Sequence, residues 1–424
     1  MRKAGVLLAT LAVVGTAGAH AQPSARSSAP PGAAADVQAL GTALQANHPN
    51  LFRNVSRARF HSEVASLARR APALSDNELL VGLMRIAALP GVRNGHTGLF
   101  PLDGQHRRSL HFYPLRVYDF ADGLYVVDED GERGLVGLRL VAVQGVPIRR
   151  LLELVRPLVP RDNASFLRGE APHFTLVAEV LDGLGVPGGT GPRELTFERA
   201  GGEPVSMSLA PISREAFAQA FATPLHGVYQ ALLPQASAPL WLAQMNRPLW
   251  TRRVAGGRAL YVGYNAVVPP TNGVADRIVR LVRDPRLRRV VVDVRSNGGG
   301  DNTTYSPLLT ALASRQVNRS GRLYVLVGRA TFSAAGNFAA DVDRFTKALL
   351  VGEPTGGGVN QYGDATSVTL AATGWNVRVA TTYVERGAPG DRRLAIEPDV
   401  RVDLISSDYF ARRDPVLARA LRGL

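Results

Sequence analysis

The stretch that most constrains this chain is Val290-Val-Val-Asp-Val-Arg-Ser-Asn-Gly-Gly-Gly-Asp301, read with Ala330-Thr-Phe-Ser-Ala-Ala-Gly336 further on. Val290 to Val294 is too short and too β-branched for a helix. It reads as a buried strand of a mostly parallel sheet. Gly298, Gly299 and Gly300 follow at the C-terminal strand edge, where open α/β sheets bind ligands and where glycines let backbone N–H groups approach closely. Leu323 to Gly328 reads as a second such strand. It leads into Ser333, after which apolar positions 334, 338, 339 and 342 keep helical spacing. A serine at a strand-to-helix junction is ordinarily an N-cap. Beside a glycine loop it has a second reading, in which N–H groups of Gly299 and Ala334 converge on one oxygen next to the Ser333 hydroxyl, as a nucleophile with an oxyanion hole requires.

These two segments, with Val351-Gly-Glu-Pro-Thr-Gly356 and Glu397-Pro-Asp-Val400, resemble in order and spacing the C-terminal processing (tail-specific) serine proteases. That family also includes the tricorn core protease and the interphotoreceptor retinoid-binding protein. The resemblance is clearest over residues 258 to 404. It extends more weakly through His48-Pro-Asn-Leu-Phe52, Asn94-Gly-His-Thr-Gly98 and Ala259-Leu-Tyr-Val-Gly-Tyr-Asn265.

The resemblance implies Ser333 as the nucleophile, and the remaining question is its base. Many family members use a lysine near the Thr-Gly turn, but Thr355-Gly-Gly-Gly-Val359 has none. Lys347 lies 14 residues past Ser333, roughly 20 Å along a helix, which argues against a Ser-Lys pair. A hydroxyl needs an adjacent base, and His96, in a Gly-His-Thr context like that of the tricorn-like branch, takes that role by resemblance. A histidine base is ordinarily oriented by a carboxylate. At the place where tricorn-like members carry a glutamate no residue matches cleanly, so Asp391 and Glu397 both stand as candidates.

At 424 residues and 46% hydrophobic, the chain can bury substantial cores. The expected class is α/β: a catalytic region from 258 to 424 with a crotonase/Clp-protease-like layered sheet, and strands near 259, 290, 323, 348, 366 and 377. Ahead of it are expected a helical domain over 37–107 carrying His96, with a capping box at Ser75-Asp-Asn-Glu78, a β-rich PDZ-like domain over 108–210, and a connecting segment over 211–257. The PDZ-like reading rests on residues 135–148, with Gln144 a departure from the Asn/Asp-Gly turn. Such a domain either captures a peptide by adding it to a sheet edge or is structural only. Residues 183–191 read as a hairpin excursion without the ending of a phosphate loop.

Residues 1–21 carry Arg2 and Lys3, an apolar run and Ala19-His-Ala21, which read as a secretory signal peptide cut after Ala21; residues 22–36 read as a flexible linker. A periplasmic or secreted protein without membrane insertion is expected. There is no cysteine, which excludes disulfides and thiolate sites. The net charge of +14 comes almost wholly from arginine spread along the chain, without the aromatic platforms of a nucleic-acid binder. No cofactor or metal is required, and the expected partner is a protein or peptide substrate. The rival reading is a non-catalytic binding protein on the same scaffold. A weaker third, an α/β-hydrolase esterase, lacks the Gly-x-Ser-x-Gly elbow.

Overall fold

The computed structural model describes residues 27–221 and 239–424. The signal-peptide assignment lies outside them. Three helices, Ala33–Asn47, Arg57–Arg70 and Asp76–Ala87, open the described chain. The last begins with the expected capping box, Ser75 and Glu78 each bonding the other's backbone N–H. Residues 27–36 are not a free tether. Ser28 bridges Ser75, the Ala29 N–H reaches the Leu74 carbonyl, and buried Asp36 accepts from the Thr373 N–H at 2.6 Å.

Residues 115–209 form an antiparallel meander of Leu115–Phe120, Gly123–Glu129, Arg139–Val143, Arg193–Glu198 and Pro204–Leu209. Helices Ile148–Val155, Ala164–Phe174 and Ala178–Gly183 interrupt it between the third and fourth of these strands. Gly169 and Pro172 inside the second helix mask its pattern, since both are poor helix formers. Of residues 183–191, Gly183 closes the third helix and 184–191 are the turn after it, not a hairpin.

The central sheet runs Val400–Arg401, Leu349–Gly352, Leu323–Val327, Arg289–Asp293, Ala259–Tyr264, Leu249–Val254, parallel throughout except for the last strand. Because side chains alternate along a strand, Leu260, Val262, Val290, Val292 and Val325 pack on one face against helix Ala334–Phe345. Tyr261, Val291, Tyr324 and Leu326 pack on the other face with Val416 and Ala420 of the closing helix Pro415–Leu421. Burial on both faces explains the unbroken valines.

The strands expected near 366 and 377 do not join this sheet. Asn360–Thr369 and Asn376–Glu385 form a separate antiparallel hairpin. Its Leu370, Trp375, Val377 and Val379 are buried in the same core as the N-terminal helices. The hairpin thus packs with the N-terminal helices, apart from the cores on the two faces of the central sheet. Among the described residues no helix is long and apolar enough to cross a membrane.

Candidate active site

Ser333 sits at the N-cap position of helix Ala334–Phe345 but makes no cap hydrogen bond. Its φ of 52° and ψ of −127° are unusual for a residue with a side chain, a conformation that costs of order 1–3 kcal/mol and persists only where the surroundings enforce it. Its Oγ is engaged outside the helix instead. It lies 2.9 Å from His96 Nε2, so with the ring proton on Nδ1 the hydroxyl donates to Nε2.

His96 is held by a loop stitched to distant segments. The Arg93 and Asn94 N–H groups donate to the carbonyls of Asp162 and Arg161, and the Gly95 N–H donates to Asp162 Oδ1 at 2.6 Å. Gly98 and Arg378 exchange both backbone hydrogen bonds at 2.9 Å, and Thr97 Oγ1 accepts from the Ala380 N–H at 3.0 Å. The imidazole stacks on Phe332, the residue before the serine, with ring centroids 4.5 Å apart, and Phe166 packs on Phe332 at 4.6 Å. Burial, with the Arg378 cation adding to it, pushes His96 down to about 4, against a smaller opposing pull from the Tyr362 backbone carbonyl. The ring is therefore neutral at ordinary pH.

Neither expected carboxylate reaches His96. Asp391 chelates the Arg393 guanidinium with both oxygens and also accepts the Arg393 N–H. Glu397 is exposed on a different cleft, beside Arg401. Among the described residues His96 Nδ1 is buried with no partner in hydrogen-bond geometry. The Arg-rich 391–393 turn supplies the physical reason, since an arginine two positions away captures Asp391 locally.

The glycine loop lies against the serine. A Cβ on Gly299, whose φ is 114°, would sit 2.6 Å from Ser333 Cβ. The expected Gly299 donor is committed elsewhere: its N–H bonds Asn297 Oδ1 at 2.9 Å, while Asn297 Nδ2 holds the Tyr264 carbonyl. Gly298 and Gly300 line the cavity beside Ser333. Among the described residues no acceptor takes their N–H groups or that of Ala334, which as the first helical residue has none within its helix. Gln361 Nε2 fixes the Ser333 carbonyl at 3.0 Å.

A cavity of about 570 Å³ opens on Ser333 and His96. Of its arginines, Arg295 is neutralised by Asp293 and Asp414 and Arg329 by Glu353, while Arg378 is exposed. Among the described residues no cluster of potential ligands is arranged to hold a metal. Phe332 and Asn297 could have been flagged in the sequence by adjacency to the serine and the glycines. Asp162, Phe166 and Gln361 carry no local signal.

No family model and no curated protein matches this sequence. Among solved structures, mature CPAF complexed with lactacystin superposes with a TM-score of 0.60, covering 90% of this chain and 95% of that one at 13% identity. Another structure of mature CPAF gives 0.57, over 90% and 94%, again at 13% identity. This chain has the CPAF fold. A photosystem II D1 C-terminal processing protease overlaps more loosely, at a TM-score of 0.42 and 15% identity over 88% of this chain and 94% of that one.

Proposed function

We propose that this protein is an exported serine endopeptidase of the C-terminal processing type that works through a Ser333 acyl-enzyme. The observation that carries the reading is the strained, uncapped Ser333 with its Oγ 2.9 Å from the Nε2 of a neutral histidine. In the first step Oγ attacks a peptide carbonyl while His96 Nε2 takes its proton, and the oxyanion is held by the Ala334 N–H together with Gly298 or Gly300. The imidazolium then gives its proton to the leaving amine. Water, deprotonated by the same nitrogen, releases the acyl group.

With no carboxylate at Nδ1, the acceptor nearest in role is the Tyr362 backbone carbonyl, the one group that favours the protonated ring. This dyad arrangement is a weaker base than a full triad. The same feature favours the second reading, a binding protein on this scaffold, because an imidazole held at about 4 resists protonation. Hydrolysis of unfolded casein by the purified protein decides between them. The peptidase reading predicts turnover that falls by about 10⁴-fold or more in Ser333→Ala and in His96→Ala; casein left intact by the folded wild type would favour the binding reading.

A further inference from the structure

One helix, Ala164–Phe174, contributes four residues to the cavity wall, Phe166, Gly169, Glu170 and His173. Spacings of three and four place these on one helical face. Phe166 marks the end near the chemistry, since it packs on Phe332 immediately before Ser333. Glu170 lies about one turn, about 5.4 Å, further along the wall.

The other charged groups around the cavity interior are spent on each other. Asp119 pairs with Arg168, Glu353 with Arg329, and Asp293 and Asp414 with Arg295. Among the described residues Glu170 has no hydrogen-bond or ion-pair partner, and it shares the cavity lining with Val117, Phe120 and Leu404. Arg378 and Asp364 are exposed on the hairpin side. His96 and His173, pushed down to about 4 and about 3, bring no positive charge.

A carboxylate in such a wall is costly unless something pairs with it. Its environment shows that cost: burial alone raises Glu170 to about 7, and no neighbouring cation offsets it. The complement to a largely apolar wall with one acid about a helical turn beyond Phe166 is an aliphatic stem ending in a cation. This is the chemistry of lysine and arginine side chains.

We infer that Glu170 is a specificity-determining residue that receives a lysine or arginine side chain of the substrate next to the scissile bond. The inference rests on the peptidase reading for the word substrate, but the cation site itself does not depend on turnover.

Two measurements separate the two claims. The first is fluorescence titration with 4-aminobenzamidine, a flat apolar amidinium that needs no catalysis. Wild type and Ser333→Ala should bind it alike, whereas Glu170→Gln, which keeps the side chain's size, should bind about tenfold or more weaker, with Glu170→Asp in between. Equal binding by wild type and Glu170→Gln, or none by folded wild type, overturns the inference. The second is mass-spectrometric mapping of cuts in unfolded casein. Lysine or arginine should be enriched at one fixed position beside the cut, and Glu170→Gln should lose that enrichment; cuts without it, or enrichment that survives the substitution, also overturn the inference. If casein stays uncut while the amidine binds through Glu170, the peptidase reading fails and the cation site stands.

Discussion

His96 and Ser333 are 237 positions apart in the chain, yet Nε2 and Oγ lie 2.9 Å from each other. The contact depends on long-range stitching. His96 is fixed by hydrogen bonds from its loop to Asp162 and to the hairpin strand Asn376–Glu385, while Ser333 is fixed by Gln361 and the glycine loop.

The closeness of Gly299 to Ser333 gives the first prediction. Gly299→Ala puts a methyl 2.6 Å from Ser333 Cβ and 3.0 Å from the Ala334 nitrogen, at a φ of 114° that an L side chain rarely adopts. The serine must move to relieve the clash, and a misplacement of about 1 Å can cost about 10²-fold in rate. The expected result is a loss of kcat/KM of at least about 10²-fold on casein with the far-UV circular dichroism spectrum retained.

A second prediction concerns pH. Only neutral His96 can take the serine proton, and its proton is lost above about 4, not near the ordinary 6.5. The acid limb of kcat/KM should therefore fall near pH 4. Arg378 contributes to that depression, so Arg378→Gln should move the limb upward, towards 6.5. An acid limb already near 6.5 in the wild type, or one unmoved by the substitution, would show that the ring's surroundings act differently. Circular dichroism at each pH separates lost activity from unfolding.

Buried Asp162 supplies a third. Desolvation raises it to about 7 despite the opposing pull of the Gly95 and Gly358 N–H groups and of Arg93. A carboxyl whose folded pKa lies above its unfolded value near 4 destabilises the fold increasingly as pH rises from about 4 to about 7. Asp162→Asn keeps the acceptor for Gly95 and removes the charge. It should raise stability at pH 8 by on the order of 1–3 kcal/mol, less at pH 5, and not at all near pH 4. Urea denaturation of both proteins at these three values reads the difference, and a constant offset across pH would contradict it.

Residues whose role is set by their immediate neighbours were legible in the sequence. The valine strand, the glycine loop, the strand-to-helix junction at Ser333 and the Ser75 capping box are all local patterns, and each has its counterpart in the structure. The Asp293–Arg295 ion pair, between residues two apart, is local in the same way. What escaped depends on pairing between remote segments. The hairpin of residues 360–385 has ordinary strand periodicity, and nothing in it signals that it leaves the central sheet to pack with helices more than 250 residues earlier. The third member of the site was illegible because it is not a carboxylate near the C-terminus: Asp391 is taken by Arg393, and among the described residues Nδ1 has no partner in hydrogen-bond geometry. The Gly299 donor was misassigned because Asn297, two residues before it, folds back to claim the N–H.

The most direct test of the account is covalent labelling by a fluorophosphonate probe, with the modified residue located by mass spectrometry. It needs no knowledge of the substrate. The account predicts that folded wild-type protein is labelled on Ser333 alone, and that labelling vanishes in both Ser333→Ala and His96→Ala. Folded wild-type protein that remains unlabelled, or labelling that persists without His96, would contradict a histidine-activated serine.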